Sequence, residues 1–219
     1  MWEFLQTYGP RLLDGALDTC AQFILAALVA CVAALAAGLG RLSSLWPVRS
    51  LSVVYIELFR GTSLLVQLYW IFFVLPLFGI SLPKFEAGFL SVGLNVGAYG
   101  AEIVRGAIQA VPRGQWEAGY ALSMSPAKRM RRIILPQALV LMLPPWGNLM
   151  IELLKGTALV ALIAVPDLMF VAKQINGATF RSAEAFGAAL LVYYLLARVL
   201  ITPAMRGLER AMARRLGRA

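Results

Sequence analysis

Few residues in this sequence could carry out a reaction. None of its 219 residues is histidine, which removes the commonest general base and the commonest metal ligand. Cys20 and Cys31 both fall in the first apolar run, with no Cys-x-x-Cys and no Cys/His set, so they are expected to act as small apolar fillers. A phosphate loop of the form Gly-x4-Gly-Lys-Ser/Thr is missing, and no Gly-Lys pair occurs. No catalytic residue, metal ligand or cofactor is therefore expected, and the chain carries no means of hydrolysing a nucleotide. Two groups of residues are left. One is the stretch 117–136, EAGYALSMSPAKRMRRIILP, whose chemistry is that of docking. The other is a set of polar side chains inside apolar runs: Glu57, Gln67, Asn95, Glu102, Glu152 and Lys155. Burying such groups unpaired is costly, so they are the candidates for a solute path.

Composition says what must position them. Sixty per cent of the residues are apolar, 14% are charged and the mean hydropathy is +0.76, the profile of a polytopic membrane protein. The net charge of +9 does not point to nucleic acid, because the cations cluster at the ends of apolar runs, where Lys and Arg meet cytoplasmic headgroups. An all-α chain with about five transmembrane helices is expected, at about 19–40, 55–78, 87–107, 133–154 and 185–205, in a single transmembrane domain over 1–219. Residues 1–18 carry Glu3, Asp14 and Asp18 against Arg11, which does not suit a signal peptide. They are expected to be a short outside segment ahead of an uncleaved span.

Within the spans, Ala26, Ala30, Ala33, Ala34 and Ala37 put small side chains along one side of the first helix. Gly93, Gly97 and Ala101, four apart, do the same on the third. Such stripes let membrane helices approach closely, although a generic Ala-rich helix would read the same way. Pro144-Pro145 predicts a kinked or discontinuous fourth span. The run 157–165, ended by Pro166-Asp167, is too short to cross and reads as a partial or re-entrant helix, with a polar outside stretch over 167–184.

Charge placement fixes the expected orientation. With the N-terminus outside and five spans, the first inside loop takes Arg41, Arg49 and Arg60. The second takes Arg105, Arg113, Lys128, Arg129, Arg131 and Arg132. The C-terminal region takes Arg198, Arg206, Arg210, Arg214, Arg215 and Arg218. Only Arg11, Lys84, Lys155, Lys173 and Arg181 are left outside, which is the asymmetry of the positive-inside rule. Segment 112–132 is then cytoplasmic. Pro112 suits a first turn, Trp116 and Tyr120 share a face, and Ser125-Pro126 reads as an N-cap with a first-turn proline. Two short helices result. On these residues alone they either rest in the headgroups or dock on a partner.

A resemblance bears on that choice. Glu117-Ala118-Gly119, Ser123, Ile133, Leu135 and Pro136 stand at the spacing E-A-A-x3-G-x9-I-x-L-P, the EAA motif of ABC importer permeases. Gly119 replaces the second Ala and weakens helix propensity; Ser123 replaces the Gly and makes the turn less permissive, so the hinge is expected to be stiffer. The stretches YIELFRGTSLLVQL (55–68), NVGAYGAEIVRGAIQAVPRGQWEAG (95–119) and ILPQALVLMLPPWGNLMIELLKGTALVALI (134–163) resemble the polar amino-acid permeases, the group handling His, Glu, Gln, Arg and opines. The likeness covers about residues 10–205. It implies a type I importer permease core (MetI-like) in the bacterial cytoplasmic (inner) membrane. It also implies a second similar or identical permease subunit, an ABC ATPase dimer and a periplasmic or lipid-anchored solute-binding protein. Trp116, Glu117, Ala118, Gly119, Tyr120, Ser123, Ile133, Leu135 and Pro136 would then form the coupling element seated on the ATPase. The N-terminal stretch and Lys155-Gly156-Thr157 look most like ectoine/hydroxyectoine permease subunits, with glutamine, glutamate or an opine as the alternative solutes. Permeases of this group often carry Lys-Asp-Thr there, and losing the carboxylate argues against a strongly cationic solute.

The polar side chains each have a plainer reading. Glu57–Arg60, Glu102–Arg105 and Glu152–Lys155 are three apart and could simply pair; Gln67 and Asn95 could join helices. An ion-coupled carrier is the remote alternative. It would want an internal repeat and a titratable midplane group, and the sequence offers no repeat.

Overall fold

The computed structural model describes residues 2–215, which form helices and turns with no strand among them. The helices are α1 (Trp2–Arg41), α2 (Trp46–Gly61), α3 (Leu64–Tyr69), α4 (Lys84–Gln109), α5 (Arg113–Ala121), α6 (Pro126–Arg129), α7 (Leu135–Thr157), α8 (Leu168–Thr179), α9 (Ser182–Leu195) and α10 (Thr202–Arg215). Widened π turns join α6 to α7 and α9 to α10, so 126–163 and 182–212 each run as one long apolar rod. Four helices are long and apolar enough to cross a membrane, or five if the bent α2–α3 pair is one span. The expected count of about five stands on that reading. Arg218, assigned above to the basic tail, lies outside the described residues.

The centre of the molecule is the α1–α4 pair. Ala26, Ala30, Ala34 and Ala37 are buried on α1, and α4 meets them with glycines. A Cβ placed on Gly93 would stand 2.7 Å from Val29 and 2.8 Å from the Ala26 carbonyl oxygen; one on Gly97 would stand 2.8 Å from Ala33. The backbones approach too closely there for any side chain, which is how small stripes hold helices together where lipid gives no hydrophobic drive. These contacts rise together along both chains, so α1 and α4 run parallel. Gly100 meets Trp146 and Gly156 meets Val92, so α7 runs antiparallel to α4.

Several expectations are corrected. Residues 2–18 are not a separate segment; they continue α1 as one 40-residue helix. At about 1.5 Å per residue such a helix is roughly twice the thickness of a hydrocarbon core. Its first turns are covered instead by protein: Phe4, Leu12 and Ala16 pack against Leu168, Ala172, Ile175 and Ala185. For the same reason 167–184 is not a uniformly polar stretch. It holds α8, whose apolar side lies on α1 and α9. The run after Lys155 is a 3-10 turn, Ala158–Ile163, directly continuous with α7, so the partial helix is not separate. Pro144 and Pro145 sit inside an unbroken α7. Neither proline interrupts the rod: Met142 and Met150 on either side of the pair are buried against α1 and α4, and that packing offsets the lost backbone donors. The real break is at residues 62–63, where α2 and α3 meet at 108°.

Candidate functional site

The motif segment folds as a hairpin at the end of α4. Its second half is not a free short helix as expected: α6 is one turn long and runs through Met130–Ile134 into α7. Pro136 lacks the N–H that the next helical bond needs, and the widened turn just before it accommodates that loss. The Ser125 hydroxyl accepts from the Lys128 backbone N–H at 3.4 Å, and Pro126 follows it, as the Ser-Pro pattern predicts. Pro112 stands at the N-cap of α5, one residue before the helix.

The turn between the two halves is a Schellman motif. The Met124 N–H donates to the Gly119 carbonyl at 3.0 Å, and the Ser123 N–H donates to the Tyr120 carbonyl at 2.8 Å. Such a turn puts its pivot residue in the left-handed region, and Ser123 has φ 52°. This is the position where the motif pattern carries glycine. The turn conformation survives the change to serine, at a cost of about 1–2 kcal/mol.

Gly119 has an equally local reason. A Cβ there would stand 2.5 Å from Cδ and 2.8 Å from Cγ of Arg129, whose stem lies across it. The Arg129 guanidinium continues over the Tyr120 ring at 3.6 Å and lies 5.8 Å from the Trp116 ring centre. Arg129 is buried, whereas Lys128, Arg131 and Arg132 are exposed. Ile133, Leu135 and Trp116 are half-buried against Val104, Ala107, Ile108 and Val111 at the end of α4. Glu117, Ala118, Tyr120 and Leu122 are left on the open face. The motif residues thus divide: one set builds the hairpin, the other is presented, and Tyr120 does both, with one ring face under Arg129.

The six polar residues form three groups rather than one pocket. The Gln67 amide nitrogen donates to the Phe59 carbonyl at 2.8 Å and to the Thr62 hydroxyl at 2.7 Å. Its oxygen accepts from Asn95 Nδ2 at 3.0 Å, and Asn95 also reaches the Phe59 carbonyl at 3.1 Å. Gln67 and Asn95 are therefore the joining pair of the plainer reading, and they hold the α2–α3 elbow against α4. A cleft of about 530 Å³ opens beside this elbow, lined by Leu58, Phe59, Thr62, Val66, Gln67, Trp70 and Ile71.

Glu102 pairs with Arg105 at 2.8 Å, as expected, and also with Arg41 at the end of α1. Glu57 does not pair with Arg60. It lies 4.0 Å from Arg41, while Arg60 turns over the Tyr99 ring at 5.4 Å. The reason is the parallel α1–α4 packing, which brings Arg41, assigned by the sequence to a loop, between two carboxylates. Glu152 and Lys155 pair at 2.8 Å on an exposed side of α7.

Sequence reasoning missed a further buried group. Asp167 is fully buried; its carboxylate caps α8 by accepting from the Phe170 N–H at 2.8 Å and accepts from the Tyr193 hydroxyl at 3.2 Å. The run Pro166-Asp167-Leu168 carries an N-cap signal that could have located α8. The burial of Arg129 had no such signal.

The family described as "binding-protein-dependent transport system inner membrane component" matches residues 11–214. A probable amino-acid ABC transporter permease of Sinorhizobium fredii, y4tF, is 47% identical over 77% of this chain and 74% of its own length. The L-cystine transport system permease TcyB of Bacillus subtilis is 39% identical over 89% of this chain and 80% of its own. The glutamine transport system permease GlnP of Escherichia coli is 36% identical over 96% and 97%. Among solved structures, an amino acid ABC transporter with histidines superposes with a TM-score of 0.88 at 35% identity, over 96% of this chain and 98% of that one. The MetNI methionine ABC transporter, at 20% identity and a TM-score of 0.80 over 94% and 98%, shares the fold. A multi-pass inner-membrane protein with this helix order, matched over nearly its whole length, belongs to the family of binding-protein-dependent transport system inner membrane components, the permease subunits of ABC transporters.

Proposed function

We propose that this chain is the translocation subunit of an ATP-driven, binding-protein-dependent importer for a polar amino acid. In this reading the hairpin faces the cytosol and seats on a separate ATPase dimer. A second permease subunit, similar or identical, stands beside it, and a solute-binding protein delivers from outside. The observation that carries the reading is the open side of the hairpin: Glu117, Ala118 and Tyr120 on α5 and Leu122 in the turn after it are exposed, while Trp116, Gly119 and one face of the Tyr120 ring lock the helix to α4 and α6. Exposed Tyr and Leu beside a carboxylate suit a protein groove better than headgroups, which favour cations. The positive-inside asymmetry and the parallel course of α1 and α4, with one bent span between them, support the same orientation.

The solute class rests on the relatives, which are described as carrying glutamine and cystine, and on a solved neighbour containing histidines. None of these descriptions mentions ectoine, which keeps its place on the N-terminal and Lys155-Gly156-Thr157 resemblance alone. Thermal stabilisation of the cognate binding protein by a panel including glutamine, cystine, histidine, glutamate and ectoine separates these solutes. The docking reading has its own test. In membrane vesicles holding the complete transporter, Glu117→Lys should leave the chain inserted and abolish solute-stimulated ATP hydrolysis and uptake. Normal stimulation by this variant would end the docking role.

A further inference from the structure

Four cations follow one another closely in the hairpin, and the structure treats one of them differently. Lys128, Arg131 and Arg132 are exposed, but Arg129 is 5% exposed, and its Nε and Nη1 have no hydrogen-bond partner. A guanidinium withdrawn from water without a carboxylate needs another source of attraction. Here it is aromatic: the group lies over the Tyr120 ring at 3.6 Å with Trp116 at 5.8 Å, both on α5. Its stem passes through the space that a Cβ at position 119 would fill. Arg129 itself stands on the first turn of the rod 126–163. The two halves of the hairpin are thus joined by one side chain, while the Ser123 turn between them is a single pivot.

We propose that Arg129 is a positioning residue that makes α5 a rigid extension of α7. A displacement imposed on α5 is then passed to the membrane helix instead of being absorbed at the pivot. This rests on the docking reading given above. The need for a clamp is physical. Nine residues are too few for a stable helix on their own, and α5 is otherwise held to the rod by Trp116 and by the exposed Gln137–Gln115 bond at 3.1 Å. Gly119 and Arg129 are one device: the glycine that weakens the helix admits the stem that fastens it.

Two measurements test this on the intact permease–ATPase complex in nanodiscs: hydrogen exchange of the 113–121 amides, and ATP hydrolysis stimulated by solute-loaded binding protein. Arg129→Met keeps the stem and removes the cation. It should speed exchange of α5 by about tenfold and cut stimulation several-fold with little change in the binding protein's half-saturating concentration. Arg131→Met, on the exposed side, should leave the exchange unchanged. Arg129→Lys, with a cation but no planar fork, should fall between. If Arg129→Met does not insert, the lysine variant decides alone, and wild-type behaviour in it overturns the clamp. Faster exchange with undiminished stimulation would leave a structural contact only and overturn the transmission role. Failure of the docking reading looks different: Glu117→Lys would then keep full stimulation. Unchanged exchange and stimulation in Arg129→Met, while Glu117→Lys abolishes stimulation, would sink the clamp and spare the docking.

Discussion

Replacing Gln67 by leucine should loosen the elbow between α2 and α3. Gln67 is 9% exposed, and its amide makes three short bonds: to the Phe59 carbonyl, to the Thr62 hydroxyl and from Asn95. Leucine has a similar volume, so the loss is polar, not steric. The partners do not suffer equally. Thr62 is exposed and can turn to solvent; the Phe59 carbonyl keeps its bond from Asn95 at 3.1 Å; Asn95, itself 7% exposed, loses its bond to the Gln67 side-chain oxygen. Hydrogen bonds between membrane helices average about 0.6 kcal/mol, and a buried group left partly unsatisfied costs about 1 kcal/mol more. The sum is about 2–3 kcal/mol. Thermal unfolding of the detergent-solubilised complex should show a fall of roughly 4–12 °C for a chain of this length. Because the Gln67–Asn95 bond is shared, the double variant with Asn95→Leu should cost less than the two single changes together, by about 0.5–1 kcal/mol. A single variant within about 0.5 kcal/mol of wild type, or strict additivity, would refute the elbow argument.

Other outcomes follow from single positions. Ser123→Gly should raise the stability of the hairpin by about 0.5–1 kcal/mol, since relief of the left-handed serine exceeds the added freedom of glycine in the unfolded chain; limited proteolysis at the turn should slow, and faster cleavage would contradict the reading. Burial pushes the Asp167 carboxyl up to about 6 from an ordinary 3.8. A carboxyl raised in this way stabilises the fold below its unfolded pKa and loses that contribution as pH rises through about 6, a change of about 3 kcal/mol. Asp167→Asn keeps a capping acceptor without the charge. The wild type should therefore lose stability relative to this variant between about pH 4 and pH 6, and a constant difference across that window would count against the buried carboxylate.

The membrane class, the all-α fold, the small-residue faces of α1 and α4 and the position of the hairpin were legible in the sequence. Each rests on a local or periodic property. Apolar runs of span length, alanines and glycines on one helical side, and Ser-Pro before a basic turn act on the backbone wherever they occur. Ser123 and Gly119 were visible too, as departures from a motif, but only as weaknesses. The tertiary structure gave them reasons: one is a left-handed pivot, the other a passage for the Arg129 stem. The discontinuity allowed for at Pro144-Pro145 did not appear, for the complementary reason. Pro144-Pro145 carries a local preference against helix that packing overrides, while the 108° break falls at Thr62-Ser63, where buried Gln67 and Asn95 take up the backbone groups that the bend releases. Likewise the Arg41–Glu102 pair, the cover of α8 over α1 and the burial of Asp167 join residues far apart in the chain. No spacing rule connects such positions; they meet only once the helices have packed.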